Sequence, residues 1–253
     1  MKSQLKSMAL LARQPWLSAR ADMRLRTLMR QMVFEDTSEG RQMTPLRTYV
    51  LNKVISRWDL SQPTVLLEAT IAKTAQQGLM RGAEVTGGLK ARDMQWRRNY
   101  RLARLHLWRT KRGRSGAGQF VTVAHVDNDR FAATKLLRRT WVMLNMDANP
   151  DGFLFPAISR GKIDTTRAFT AVALRALVKR IAREAGFSDE RFGNHSLRAG
   201  GATDLLAAGV PDIMVQKMGR WESETYKIYF RDDRAVGEAA AKGFNKVARC
   251  VVW

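Results

Sequence analysis

Residues 193–231 of the chain, GNHSLRAGGATDLLAAGVPDIMVQKMGRWESETYKIYFR, combine side chains that can bind an anion and move protons. His195 and Arg198 are one turn apart, so a helix would present both on one face. Trp221 follows further along, and two tyrosines lie just beyond it. An arginine offers an anion a planar fork of donors, and a histidine transfers protons near neutral pH. The stretch is therefore either an active site or a piece of helical core with a polar end.

The charge of the whole chain indicates a polyanionic partner. Its 253 residues carry 44 Lys and Arg against 23 Asp and Glu, a formal net charge of +21. Because 45% of the residues are apolar, the chain can also build a core. This combination points first to nucleic acid and second to an anionic membrane surface. The sequence contains no run of the roughly 18 apolar residues that a spanning helix needs, so we expect no membrane insertion.

Residues that commonly bind metals are few and scattered. Cys250 is the single cysteine, which excludes a disulfide framework and a cysteine-based zinc site and fits a reducing compartment. The three histidines, His106, His125 and His195, are far apart in sequence. We therefore expect no metal site and no cofactor.

The periodicity of apolar residues predicts a mainly α (α+β) fold, helical with one small antiparallel β-sheet in the middle. The predicted helices cover 45–58, 63–78, 128–145 and 164–185, then parts of HSLRAGGATDLLAAG, PDIMVQKMG and SETYKIYFR, and finally 235–249. Two alternating runs, Leu102–Trp108 and Phe120–Ala124, flank a basic Gly-rich turn and predict a hairpin. A third short strand is expected near Trp96.

The polar residues on these elements follow the order of a known family signature. HSLR, then GRW, then a tyrosine eight residues after Trp221 resembles the tyrosine recombinase (phage integrase) family pattern of His-x-x-Arg, Gly-x-His or Trp, then Tyr. Upstream, GLMRGAEV places Arg81 and Glu84 where the family has Arg-x-x-Glu. LWRTKRGRSGAG places Lys111 at the hairpin turn, where the family has a lysine. Each residue alone has an ordinary structural explanation, and the conjunction in fixed order favours the family.

The resemblance implies a catalytic domain at 44–236, after a basic helical segment at 1–43 and before a helical tail at 237–253. The first segment contains two predicted basic helices within 5–34 and a polar linker at 35–45. Members of the family usually carry a separate helical domain that clamps DNA from the opposite side, and 43 residues are too few for a full version. The expected explanations are a fragment, a minimal form, or a clamp borrowed from a partner.

The first 21 residues contain no acid, several bases and several serines. Organelle transit peptides share this composition, as does a basic helix that docks on DNA, and we favour the helix. The protein is expected wherever its DNA is, in the cytoplasm and nucleoid or in the nucleus.

The chemistry that the resemblance implies is attack of a tyrosine hydroxyl on a DNA phosphodiester. The products are a 3′-phosphotyrosine and a free 5′-hydroxyl, and no ATP or metal is required. Arg81 and Arg198 would clamp the phosphate, because arginine donates two parallel hydrogen bonds and keeps its charge. Lys111 would protonate the departing 5′ oxygen.

The remaining motif residues would support this reaction. His195 would accept the phenolic proton or hold a non-bridging oxygen, and Trp221 would pack and donate a hydrogen bond. Glu84 would orient neighbouring arginines or backbone. Tyr229 is the favoured nucleophile and Tyr226 is the alternative, since Tyr229 is closer to the position that the family pattern expects, although its spacing from Trp221 is one residue shorter than the commonest family spacing.

Eight bases and no acid lie between residues 97 and 114. Such a run is either a solvated face or a DNA-binding surface, and the net charge favours DNA. The predicted DNA-binding residues are Arg97, Arg98, Arg101, Arg104, Arg112 and Arg114.

The expected partner is double-stranded DNA, bound by a homotetramer because the tail in this family often docks on a neighbouring protomer. Three other functions stay open. A non-catalytic DNA-binding protein would share the fold, a type IB topoisomerase would share the tyrosine chemistry, and a membrane-surface or ribosome-bound protein would account for the charge alone. We favour a site-specific recombinase, since every expected reactive side chain is present.

Overall fold

A computed structural model describes residues 43–108 and 118–229, apart from the side chains of 228 and 229. These residues belong to one compact unit that begins at Met43. The predicted helices at 5–34 and 235–249 lie outside them, as do the hairpin-tip residues Lys111, Arg112 and Arg114. The domain limits at 43 and 236 therefore remain predictions.

The described elements are mostly helical, as predicted. The helices are α1 Thr48–Ile55, α2 Pro63–Gln77, α3 Gly82–Val85, α4 Ala133–Met143, α5 Ala171–Glu184, α6 Ser196–Ala207 and α7 Asp212–Gly219, with 3-10 turns at Ala91–Asp93 and Glu224–Tyr229. The strands are β1 Met94–Arg97, β2 Leu102–Leu107, β3 Gln119–Ala124, β4 Pro156–Ser159 and β5 Lys162–Ala168. Among the described helices, none is long and apolar enough to cross a membrane.

Helix α2 forms the centre of the core. Pro63 occupies its first turn, where the missing N–H has no intrahelical partner to lose, and Gly78 follows its last residue. The side chains of Leu67 and Ile71 are fully buried, and the helix packs against both α4 and α6. The helix predicted at 63–78 is thus confirmed.

The predicted hairpin and third strand are also confirmed. Strands β1, β2 and β3 form an antiparallel sheet in that order, and Leu105 pairs with Met94 on one side and with Val121 on the other. Alternate residues of β2 and β3 are buried, which is the pattern that the alternation predicted. The described bases of the run therefore divide, with Arg97, Arg98 and Arg101 at the β1–β2 turn and Arg104 within β2.

The predicted limits of two helices were partly wrong. Residues 164–168 belong to β5, which pairs with β4 in a second antiparallel sheet that was not predicted, and only Ala171–Glu184 is helical. Arg160 and Gly161 both have positive φ, at 49° and 74°, which is the geometry of a two-residue hairpin turn. The helix predicted at 128–145 begins only at Ala133, because Asp129 ends the preceding loop by accepting a hydrogen bond from the Phe131 amide.

Helix α6 lies unusually close to two other segments. A Cβ at Gly200 would overlap the carbonyl of Leu46, and one at Gly201 would overlap the carbonyl of Gln76 at the end of α2. The Leu46 amide also donates to the carbonyl of Ser196 at 2.8 Å. These approaches fix the first turn of α6, which contains Arg198.

Candidate active site

Arg198 is buried at the centre of the candidate site. Its side chain is only 2% exposed, and its two terminal nitrogens donate to the carbonyls of Leu79 and Gly219, the latter at 2.6 Å. The guanidinium carbon lies 3.9 Å from the centre of the Trp221 ring, a cation–π geometry. Arg198 thus joins the end of α2 to the end of α7.

His195 occupies the residue before the first turn of α6. It is exposed, whereas Arg198 three residues later is buried. The loop before it is held by the Gly193 amide, which donates to the Ser196 hydroxyl at 3.0 Å. The predicted pair therefore shares one helix end, with the histidine at the surface and the arginine inside.

The turn before α3 presents Arg81. Leu79 has φ 45°, and this left-handed residue reverses the chain after α2. The Arg81 amide then donates to Glu84 Oε2 at 2.7 Å, and Arg81 Nη1 donates to Glu84 Oε1 at 2.8 Å. Arg81 remains 31% exposed while Glu84 is 3% exposed. The buried carboxylate therefore orients both backbone and guanidinium, which is the geometry expected of the supporting residue.

The turn containing Arg81 and the loop containing His195 are in contact. A Cβ at Gly82 would come within 2.9 Å of the Asn194 Cβ, so glycine allows the two segments to touch. The structure thus brings Arg81, Glu84, His195 and Arg198 to neighbouring positions, although these residues come from separate parts of the sequence.

Arg220 is a site residue that the sequence analysis missed. Its side chain is 9% exposed, and its Nη2 donates to Glu84 Oε2 at 2.7 Å and to the Leu79 carbonyl at 3.1 Å. Its backbone is left-handed, with φ 59° and ψ 43°, which costs a non-glycine residue about 1–3 kcal/mol. Its membership of the GRW triplet was the one available signal.

Trp221 lies beside this cluster, half-buried. A Cβ at Gly219 would overlap the indole ring, so glycine is required two residues before the tryptophan. The ring centre is 6.3 Å from that of Tyr226. Trp221 therefore packs between Arg198 and the segment that leads to the tyrosines.

The two candidate nucleophiles differ in setting. Tyr226 is buried, and its hydroxyl donates to Asp212 Oδ2 at 2.9 Å. This hydrogen bond raises the pKa of the Tyr226 phenol, since it favours the protonated form. Tyr229 is the last residue of the final 3-10 turn, and its side chain lies outside the described residues, as does Lys111.

Four of the predicted DNA-binding arginines are described. Arg97, Arg98 and Arg101 are exposed, and Arg101 forms a salt bridge with Asp127 at 2.6 Å. The Arg104 guanidinium lies 3.6 Å from the centre of the Phe120 ring on the outer face of the sheet. They lie on one small sheet and its first turn, while Arg112 and Arg114 lie outside the described residues.

The candidate site can bind an anion. Arg81 and Arg220 pair with the Glu84 carboxylate, and Arg198 shares the Leu79 carbonyl with Arg220, so the cluster has a net positive charge. Burial lowers the pKa of the Arg220 guanidinium, with Glu84 opposing that shift. Arginine still keeps its charge under such conditions, so a phosphate at the exposed edge of Arg81 would meet fixed positive charge.

Comparisons with known proteins agree with this arrangement. The family model for the phage integrase family matches residues 45–235. The integrase of Salmonella phage P22 is 38% identical over 85 residues, which are 33% of this chain and 19% of the phage protein.

Two solved structures share the fold. The XerH site-specific recombinase, bound to a palindromic difH substrate in a post-cleavage complex, has a TM-score of 0.59 and 23% identity over 81% of this chain and 54% of that chain. XerA recombinase has a TM-score of 0.58 and 17% identity over 94% of this chain and 81% of that chain. The chain therefore spans little more than half the length of XerH and aligns with a minor part of the phage integrase.

Proposed function

The chain belongs to the phage integrase family, and on that premise we propose that it is a site-specific DNA recombinase. It cleaves and rejoins DNA through a covalent 3′-phosphotyrosine link, without metal or ATP. The observation that carries the proposal is that the Arg81–Glu84 pair and the Arg198–Trp221 pair are joined through Leu79, whose carbonyl accepts a hydrogen bond from Arg198 two residues before Arg81. The two pairs are far apart in sequence, and each of the four residues belongs to a motif of the family signature.

The arginines supply the charge that the reaction needs. As the tyrosine oxygen approaches phosphorus, negative charge grows on the two non-bridging oxygens, and preorganised donors stabilise it. Arg81 presents an exposed guanidinium that Glu84 already orients. Arg198 is held by two backbone carbonyls and by Trp221, so its position changes little during the reaction.

Bond making and bond breaking are assigned to Tyr229 and Lys111, whose side chains lie outside the described residues. Tyr229 forms the new P–O bond, the P–O5′ bond breaks, and Lys111 gives a proton to the departing 5′ oxygen. His195, at the surface end of α6, takes the phenolic proton or holds a non-bridging oxygen. Because the phosphotyrosine retains the energy of the broken ester, attack by a 5′-hydroxyl reverses the step and rejoins the strand.

Double-stranded DNA is the proposed substrate. The exposed arginines Arg97, Arg98 and Arg101 would contact backbone phosphates, together with Arg112 and Arg114 at the hairpin tip. XerH, which shares the fold, is seen bound to its difH substrate. A homotetramer on DNA is the proposed assembly, because exchange between two sites requires four strand cleavages.

The test is capture of the covalent adduct from a pool of random-sequence duplexes that carry a nick in one strand. Cleavage near the nick releases a short strand, so the protein stays attached to the 3′ end and accumulates. Sequencing the captured strand identifies the site, and peptide mapping identifies the modified tyrosine. An adduct on a defined sequence is expected, and Tyr229→Phe is the control.

Two results would favour the other functions. Binding to a defined duplex without any adduct would leave a non-catalytic DNA-binding protein. Relaxation of any supercoiled circle, without exchange between two copies of the captured site, would indicate a topoisomerase.

A further inference from the structure

Three residues close a ring of hydrogen bonds beside α3. Arg81 Nη1 donates to Glu84 Oε1 at 2.8 Å, and Arg220 Nη2 donates to Glu84 Oε2 at 2.7 Å. Arg81 Nη2 then donates to the carbonyl oxygen of Arg220 at 2.9 Å. Each residue therefore contacts both of the others, so the orientation of the Arg81 fork depends on the position of Arg220.

Arg220 also shares an anchor with the second arginine of the clamp. Arg198 and Arg220 both donate to the carbonyl oxygen of Leu79, the left-handed residue that reverses the chain before Arg81. A third bond, from Arg220 Nη1 to the Met218 carbonyl at 2.9 Å, ties the same side chain to the end of α7. The guanidinium thus links the Arg81 turn to the helix end that precedes the tyrosine segment.

The ring is buried on the side of Arg220 and open on the side of Arg81. Glu84 and Arg220 are nearly inaccessible, whereas Arg81 keeps almost a third of its side chain in solvent. Arg220 is the C-cap residue of α7, and its left-handed backbone ends that helix beside Glu84. Arg81 can therefore meet a substrate, and Arg220 acts only through its neighbours.

We propose that Arg220 is a positioning residue that sets the Arg81 guanidinium for the scissile phosphate and couples it to the segment leading to Tyr229. The inference rests on the proposed recombinase function, since it assigns the phosphate to Arg81. It adds a residue to that site without assigning it any contact with DNA.

The first test observes Arg81 directly in the DNA-free protein. Side-chain ¹⁵N NMR, with the Arg81 Nε resonance assigned through Arg81→Lys, measures the mobility of that guanidinium. Arg220→Asn tolerates the left-handed backbone but removes the fork, so Arg81 should become mobile. The control Arg180→Met removes another arginine–glutamate pair, with Glu68 at 2.6 Å, and should leave Arg81 ordered.

The second test measures the consequence for cleavage, on the nicked duplex captured from the random pool. Misplacing Arg81 should lower the rate of adduct formation in Arg220→Asn by about 100-fold. A methylphosphonate at the scissile position has one non-bridging oxygen fewer and one negative charge less for Arg81 to stabilise, so on that duplex the variant should lose much less rate than on the phosphodiester. A variant damaged in its general fold would lose activity on both duplexes.

Arg220→Lys separates charge from geometry. It keeps the positive charge beside Glu84 but cannot make the forked contacts, so its rate should fall between parent and Arg220→Asn. An Arg81 side chain that stays ordered in Arg220→Asn would overturn the inference, whatever the DNA chemistry. Equal losses on the phosphate and methylphosphonate duplexes would overturn it as well. Absence of an adduct in the parent would instead refute the proposed function, while the mobility of Arg81 would still decide the role of Arg220.

Discussion

Tyr226 donates its hydroxyl hydrogen to the carboxylate of Asp212 at 2.9 Å. The bond joins the final 3-10 turn to the start of α7 and raises the pKa of the phenol. A nucleophilic tyrosine must lose that proton, and a neighbouring carboxylate makes the phenolate harder to form. The contact therefore favours a packing role for Tyr226 and supports the prediction that Tyr229, three residues later, is the nucleophile.

The nucleophile can be identified with two phenylalanine variants. Tyr229→Phe removes only the hydroxyl, so folding and DNA affinity should hardly change while adduct formation disappears. Tyr226→Phe should leave adduct formation measurable and lower stability only slightly, because water can replace the phenol at the exposed Asp212 carboxylate. The measurement is adduct yield on the captured nicked duplex. Adduct that survives in Tyr229→Phe but is lost in Tyr226→Phe would move the nucleophile by three residues.

The role of Lys111 as a proton donor can be tested by changing the leaving group of the DNA substrate. Lys111→Ala should block cleavage of an ordinary phosphodiester, because the 5′ oxygen then lacks a proton donor. A substrate with sulfur at the 5′-bridging position should restore cleavage, since a thiolate leaves without a proton. Rate constants on the two duplexes decide the role. A folded, DNA-bound variant that the sulfur fails to rescue would make Lys111 a binding residue.

The basic hairpin should determine the salt dependence of DNA binding. About five phosphate contacts from this segment would give a slope of roughly −4 to −5 in log K against log salt. Replacing Arg101, Arg104, Arg112 and Arg114 with Gln should flatten that slope, because each lost contact removes about 0.9. Titrations across a range of salt concentrations measure it. A slope equal to that of the parent would mean that these four arginines do not contact DNA phosphates.

A buried ion pair outside the family motifs should contribute strongly to the stability of the fold. Lys73 is fully buried, and its Nζ lies 2.7 Å from Asp129 Oδ2 and 2.8 Å from Asn52 Oδ1. Lys73→Met leaves the carboxylate buried without its cation, which should cost about 3–5 kcal/mol in the free energy of unfolding.

The control for this prediction is Arg92→Met, which removes an exposed partner of Asp151 and should cost at most about 1 kcal/mol. Denaturant unfolding of both variants makes the comparison. Losses of equal size would mean that the Lys73 pair is no more important than a surface pair.

The sequence correctly predicted helices and strands whose limits depend on residues close to them in the chain. Pro63 and Gly78 bound helix α2 because each suits its position at a helix end, and alternation identified β2 and β3 because one face of that sheet is buried. Strand β5 was missed because most of its residues are at least partly exposed on both faces, so it shows no alternation. Its hairpin turn was not predicted because the turn residues are Arg160 and Gly161, and an arginine–glycine pair is rarer in such turns than asparagine–glycine.

The residues of the candidate site also differ in whether the sequence alone could predict them. Arg81, Glu84, Arg198 and Trp221 were predicted as site residues from their types and their order along the chain. Arg220 could not be, because its burial depends on Glu84, a residue 136 positions earlier. Residues that act through distant partners leave no periodic or spacing signal in a single sequence.

The bond from Arg81 to the carbonyl of Arg220 spans 139 residues. Loops of that length close at an entropic cost, and contacts between distant residues form late in folding. A ribosome makes the Arg81 turn and the basic hairpin well before Arg220 emerges, so the growing chain exposes cationic surface before its phosphate clamp exists. On the proposed function, a nascent polypeptide would therefore associate with nucleic acid before it could break a strand, because the later part of the chain must first fold back onto the earlier one.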